Sequence, residues 1–133
     1  TKGTSSLEVD SGTVSFPFRK LSEDNANISI GYDKNKFDIR LSRVSRSPYL
    51  DYLADDDSET IQEDLDNNNI RYTDHHDQLD FNLKYKINKQ MSLKFDISNI
   101  TDEPEFYYWG TPDRLSQYDL YGRTYSIGIR YNL

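Results

Sequence analysis

From residue 121 to the end of the chain, apolar and polar side chains alternate. Tyr121, Arg123, Tyr125, Ile127, Ile129, Tyr131 and Leu133 form one set, and Gly122, Thr124, Ser126, Gly128, Arg130 and Asn132 the other. Successive strand side chains point to opposite faces, so this spacing predicts a strand with one oily and one polar face. A helix would scatter the same residues around its circumference. Met91, Leu93, Phe95 and Ile97 repeat the pattern, as do Leu79, Phe81, Leu83, Tyr85 and Ile87. Phe37, Ile39 and Leu41 form a fourth set, and Ala26, Ile28, Ile30 and Tyr32 a fifth. A sixth, less regular strand is expected around Thr4 to Phe16.

The connections alternate in length. Asp33 to Lys36 and Asn88 to Gln90 are tight turns, whereas Ser45 to Thr73 and Thr101 to Leu120 are long polar segments. Such an alternation of short turns and long loops is what a transmembrane barrel shows, with the short turns periplasmic and the long loops outside.

Composition alone gives a different picture. The 133 residues carry a formal net charge of -7, and the mean hydropathy is -0.89. These values fit an acidic soluble or disordered chain, but the 14% aromatic content and the ordered alternation argue against disorder. The length suits one domain. No run of apolar residues is long enough for a membrane helix, yet a barrel strand needs an apolar residue only at every second position. Without cysteine, neither a disulfide framework nor a Cys-based metal site is expected. The acidic balance argues against nucleic acid as a partner. Thr1 is not a natural start and no signal peptide follows it, so an upstream part is expected.

The same alternation could bury one face in a soluble β-sandwich or small barrel. Three details favour lipid. The last pattern covers about a dozen residues, near the roughly 9–11 of a tilted membrane strand. The polar face carries Arg40, Asp80, Lys84, Lys86, Lys94, Asp96 and Arg130, which suits a wide, polar barrel interior. Tyr32, Tyr85, Tyr121, Tyr125 and Tyr131 sit near strand ends on the oily face, where interfacial girdles lie. Arg43 and Arg123 interrupt that face near the long-loop ends, where snorkelling or contact with lipid phosphates is expected. Five or six strands cannot close a barrel, so upstream strands or another chain are required.

The ending Ser126-Ile127-Gly128-Ile129-Arg130-Tyr131-Asn132-Leu133 resembles the C-terminal assembly signal of bacterial outer-membrane proteins, with Leu133 in place of the usual Phe. Ser126, Gly128, Tyr131 and Leu133 carry the match. A longer stretch, from about Ala26 onward, resembles the C-terminus of TonB-dependent receptors. Its pieces are Arg46-Ser47-Pro48-Tyr49-Leu50, then Leu79-Asp80 with Tyr85-Lys86-Ile87, then Ser98-Asn99-Ile100-Thr101-Asp102-Glu103-Pro104, then Tyr121-Gly122-Arg123-Thr124-Tyr125-Ser126-Ile127-Gly128. The resemblance implies an all-β antiparallel transmembrane barrel segment, residues 1–133 supplying about five to six strands of a roughly 22-stranded barrel. It implies uptake of a scarce nutrient, such as an oligosaccharide or ferric siderophore, across the cell outer membrane. The plug domain and the part that meets TonB would lie upstream. Implied partners are outer-membrane lipid, the outer-membrane assembly machinery, TonB and a small-molecule substrate. The alternatives are a soluble all-β carbohydrate-binding module and a different outer-membrane barrel, such as a porin.

Candidate chemistry concentrates in one aromatic loop. Tyr107, Tyr108 and Trp109 could stack on sugar rings or siderophore aromatics, with Asp113 and Arg114 hydrogen-bonding to hydroxyls; the alternative is an aromatic belt with loop packing. The acidic stretch of Asp51, Asp55 to Asp57, Glu59, Glu63, Asp64 and Asp66 lacks the ordered spacing of a calcium loop and is expected to be solvated. His75 and His76 are adjacent, so on a strand they point apart and cannot share a metal. No nucleophile–base or paired-carboxylate arrangement stands out, so neither catalysis nor a cofactor is expected.

Overall fold

The computed structural model of the chain describes residues 4–9, 12–53 and 63–132. Among the described residues it is all-β and antiparallel, with no closed sheet. The chain divides into two compact units, one of residues 26–45, 77–104 and 120–133, the other of residues 1–25, 46–76 and 105–119.

The first unit is a five-stranded meander. It contains β3 (Asn25–Lys34), β4 (Phe37–Arg46), β7 (His76–Lys86), β8 (Met91–Ser98) and β11 (Thr124–Tyr131) in the order β11-β8-β7-β4-β3. These are the five strands that alternation predicts. Register places like with like. Phe81 opposes Ile97, Leu83 opposes Phe95 and Tyr85 opposes Leu93, while Tyr125, Ile127 and Ile129 face Ile97, Phe95 and Leu93 from the other side. A slip of one residue would move every oily side chain to the polar face, so the pattern itself fixes this register.

The short turns have local causes. Asn35, between β3 and β4, takes a positive φ of 57°, which Asn tolerates better than most residues. Between β7 and β8, the Asn88 side-chain oxygen accepts from the amides of Gln90 (2.9 Å) and Met91 (2.8 Å). The side chain thereby closes the turn itself.

The second unit holds the hairpin β1 (Thr4–Val9) and β2 (Gly12–Pro17), and a four-stranded sheet. The latter is built from β5 (Tyr49–Leu53), β6 (Ile70–Thr73), β9 (Glu105–Trp109) and β10 (Leu115–Asp119), in the order β10-β9-β6-β5. One helical turn at residues 63–66 precedes β6. Three sequence expectations change here. The segment around Thr4 to Phe16 is a hairpin and not one strand. The two long polar segments contain four strands, each of only four or five residues. Runs this short are too brief to show alternation against their polar flanks. The last strand has eight residues, beginning at Thr124 and not at Tyr121. Gly122, at φ 74°, interrupts extended backbone ahead of it.

Burial separates the two units. Leu50, Leu53 and Ile70 form a small core in the second, with Phe16, Leu65 and Tyr72 packed against it. The first has no buried apolar side chain among the described residues. On its oily face Ile30, Ile127 and Ile129 are each more than 70% exposed.

Candidate functional site

The four-stranded sheet presents two different faces. Tyr72 pairs with both Leu50 and Tyr108, which places all three on one side. The rings of Tyr72 and Tyr108 stack with centroids 5.6 Å apart, and Phe106 links Tyr108 to Tyr118 at 6.2 Å on each side. Burial pushes both the Tyr72 and Tyr108 phenols above their ordinary value, with the Asp74 carboxylate adding to the effect at Tyr108.

Arg71 and Thr73 on β6 pair with Trp109 and Tyr107 and face the other way. Arg71 is the hub of this side. Its guanidinium lies 4.5 Å above the Tyr107 ring, donates to Gln117 at 2.9 Å, and sits 3.3 Å from the Asp51 carboxylate. The Arg71 Nε is within ion-pair range of Asp51 but is not aligned for a hydrogen bond. Tyr107 donates its hydroxyl to Glu105 at 2.7 Å, and Arg46 donates to the same carboxylate at 3.2 Å while covering the Tyr49 ring. The result is one connected network of cations, carboxylates and ring faces. Arg46 Nε, Arg71 Nε and Thr73 Oγ1 are buried with no hydrogen-bond partner among the described residues. Rings and guanidinium planes held in fixed orientation suit a flat or hydroxyl-rich ligand.

The structure therefore divides the five predicted contact residues. Tyr107 and Trp109 lie on the Arg71 side. Tyr108 is buried on the other side, in the ring stack. Asp113 and Arg114 form the turn between β9 and β10, where the Trp109 amide donates to the Arg114 carbonyl at 2.9 Å. The Arg114 side chain is spent on the Asn68 carbonyl at 3.0 Å. Asp113 is exposed, and the Thr111 hydroxyl holds its carboxyl below the usual carboxylate range. Gly110 is required at the start of this turn. Its φ is 66°, and an added Cβ would stand 2.3 Å from the Asn68 carbonyl oxygen. Alternation over Arg71-Tyr72-Thr73 and Glu105 to Trp109 could have separated the two faces in advance. The pairing of β6 with β9, which joins them, carries no local signal.

The Asn99 to Pro104 element proves to be a staple. Asn99 is buried, at φ 58°, and Asp102 follows at φ 59°. The Asn99 side chain donates to the Glu103 carbonyl at 3.0 Å and to the Gly122 carbonyl at 3.4 Å, and accepts from the Glu103 amide at 2.8 Å. Asp80 accepts the Asn99 amide at 3.0 Å, as well as the Ser98 hydroxyl and Gln78. These bonds tie the end of β8 to β7 and to the approach of β11.

Arg43 makes a bidentate ion pair with Asp77 on the same oily face, and its side chain stays exposed. Arg123 donates to the Ile100 carbonyl at 2.7 Å. Of the assembly-signal residues, Ser126 donates to Asp96, Gly128 faces Lys94, and Tyr131 is exposed on the oily face. Leu133 lies outside the described residues, as do Asp55 to Asp57 and Glu59. Asp51 is engaged by Arg71, and Asp64 accepts from Asn69 at 3.2 Å. No group of three or more metal-ligating side chains converges among the described residues. His75 lies 3.3 Å from Asp74.

Comparison with known proteins finds no matching family model, no matching curated protein and no matching solved structure.

Proposed function

We propose that the five-stranded sheet is a segment of an outer-membrane β-barrel wall, the C-terminal part of a TonB-dependent type of receptor that imports a scarce small nutrient. The observation that carries the reading is the uncovered oily face. Ile28, Ile30, Tyr32, Tyr125, Ile127, Ile129 and Tyr131 are all more than half exposed. These residues lie on the two edge strands, β3 and β11, while the oily side chains of β7 and β8 between them are half-buried. Burying one such aliphatic side chain is worth about 1.5–3 kcal/mol, which favours cover on this face. Hydrocarbon tails provide that cover.

The opposite face supports the same reading. Its polar side chains bond across strands: Asn82 to Asp96 at 2.8 Å, Ser126 to Asp96 at 3.2 Å, Gln78 to Ser98 at 3.1 Å and Ser98 to Asp80 at 2.9 Å. A hydrogen-bonded, charged surface fits a watery interior and not an oily core. Tyr32, Phe37, Tyr85 and Tyr131 gather at the short-turn end of the oily face, where Phe37 and Tyr85 lie 4.9 Å apart. Rings at that height match an interfacial girdle. Both β3 and β11 end the sheet, so the reading requires further strands to pair with each. The Arg71–Tyr107–Trp109 side of the four-stranded sheet is the surface we assign to substrate contact.

Trypsin treatment of intact cells displaying the protein tests the topology. Cleavage at Arg114 with protection at Lys34 and Lys89 is expected. The reverse pattern rejects it, and a chain that folds as a monomer in detergent-free buffer rejects the membrane reading altogether.

A further inference from the structure

On the polar face, beside the short turns, three neighbouring strands bring cations together. Lys84 and Lys86 lie on β7, Lys94 stands opposite Lys84 on β8, and Arg130 on β11 reaches the same row as Lys86 through Ser92. Lys94 is neutralised by Asp96 at 2.8 Å. No ion pair joins Lys84, Lys86, Lys89 or Arg130 to a carboxylate among the described residues. A groove of about 290 Å³ runs among these four, and no Asp or Glu lines it. Space above Gly128 is open. Lys84 also lines a neighbouring hollow with Asp38, but in a chain of net charge -7 a groove lined by four cations and no carboxylate suits an anionic occupant.

Spacing narrows the occupant. Strands β7 and β11 are separated by β8, so their side chains stand about 10 Å apart, and alternate residues along β7 are roughly 7 Å apart. One small anion cannot span these cations. An extended polypeptide places alternate side chains at the same roughly 7 Å interval. The groove also offers the Ser92 hydroxyl and the side-chain amide nitrogens of Asn88 and Asn132 to a peptide backbone, the Asn88 oxygen being taken by the turn amides and the Asn132 oxygen by Arg130 at 3.3 Å. We propose that this groove docks an extended acidic polypeptide segment, its carboxylates meeting Lys84, Lys86, Lys89 and Arg130. The inference rests on the polar face alone and holds whichever medium covers the oily one.

Fluorescence anisotropy of a labelled peptide of alternating Glu and Gly, titrated with the folded 133-residue chain, tests this. Circular dichroism first confirms equal strand content in every variant. Binding at low ionic strength is expected, weakened roughly tenfold by Lys84→Gln with Lys86→Gln, weakened also by Arg130→Gln, and unchanged by Lys34→Gln at the other short turn. The matching Lys–Gly peptide is expected not to bind. Equal affinity for the double variant overturns the proposal. So does displacement of the peptide by inorganic phosphate at equal charge concentration, which would mark a small-anion site.

Discussion

In the four-stranded sheet, Leu50 and Leu53 are 1% and 2% exposed; in the five-stranded sheet, Ile127 and Ile129 are 75% and 71% exposed. Both sheets are antiparallel, and they follow the same chain order, β10-β9-β6-β5 against β11-β8-β7-β4. Yet one buries a small group of apolar side chains fully, and the other buries none, leaving those on β7 and β8 half-exposed and those on β3 and β11 bare. The difference teaches that alternation records only that two faces differ. What lies against the oily face is a separate matter, decided by strand length and by the chemistry of the opposite face. Short strands with Leu, Ile and aromatic residues fold onto a local core. Long strands backed by Lys, Asp and Asn have no apolar layer to offer each other, and no buried apolar core forms on them among the described residues.

The largest expected effect lies in the small core. Leu50→Ala removes a fully buried side chain and should cost about 2–5 kcal/mol in a denaturant titration. A cost near zero would mean that this core is not what holds the second unit together.

Ile127→Arg sharpens the contrast directly. With the chain folded in lipid vesicles, a charge on the lipid-facing side should cost about 2–4 kcal/mol near mid-bilayer. A cost within about 0.5 kcal/mol, the size expected for an exposed surface substitution, would remove the reason for assigning hydrocarbon to the face.

Asn99→Ala deletes the side chain that bonds to Glu103 and Gly122 and leaves a non-glycine residue at positive φ. A loss of about 1–3 kcal/mol is expected. Asn99→Gly restores the φ but not the bonds and should recover only part of it. Full recovery by glycine would reduce the staple to a backbone requirement.

The smallest effect concerns Asp113. Its folded carboxyl ionises below the ordinary value of 3.8, chiefly through the Thr111 hydroxyl. A depressed carboxyl contributes stability that is present above 3.8 and lost as pH falls through the folded value. Thr111→Val should move the Asp113 titration, followed by NMR, back toward 3.8. No movement would show that the turn itself, and not the hydroxyl, sets the charge.

Legibility followed pattern length. The five strands of the meander, their faces and the tight turns at Asn35 and Asn88 were readable, because each rests on neighbours one or two positions away. The strands at Tyr49, Ile70, Phe106 and Leu115 were not, since a run of four or five residues cannot establish a period. Among the candidate contact residues, Tyr107 and Trp109 joined Arg71, and Tyr108 joined Tyr72, only through the pairing of β6 with β9. Arg71 and Arg46 drew no notice in the sequence as contact residues because isolated arginines in a polar segment look solvated.

The sequence by itself determined which residues share a face along each long strand, since the two-residue repeat is a local property of extended backbone. It also determined where the chain must turn, through Asn and Gly at left-handed positions. Tertiary structure alone decided that Arg43 meets Asp77, that Asn99 reaches Gly122, and that four cations surround a groove without a carboxylate. Those outcomes depend on which strands become neighbours, and hydrogen bonding between backbones does not encode the partner's side chains in either strand alone.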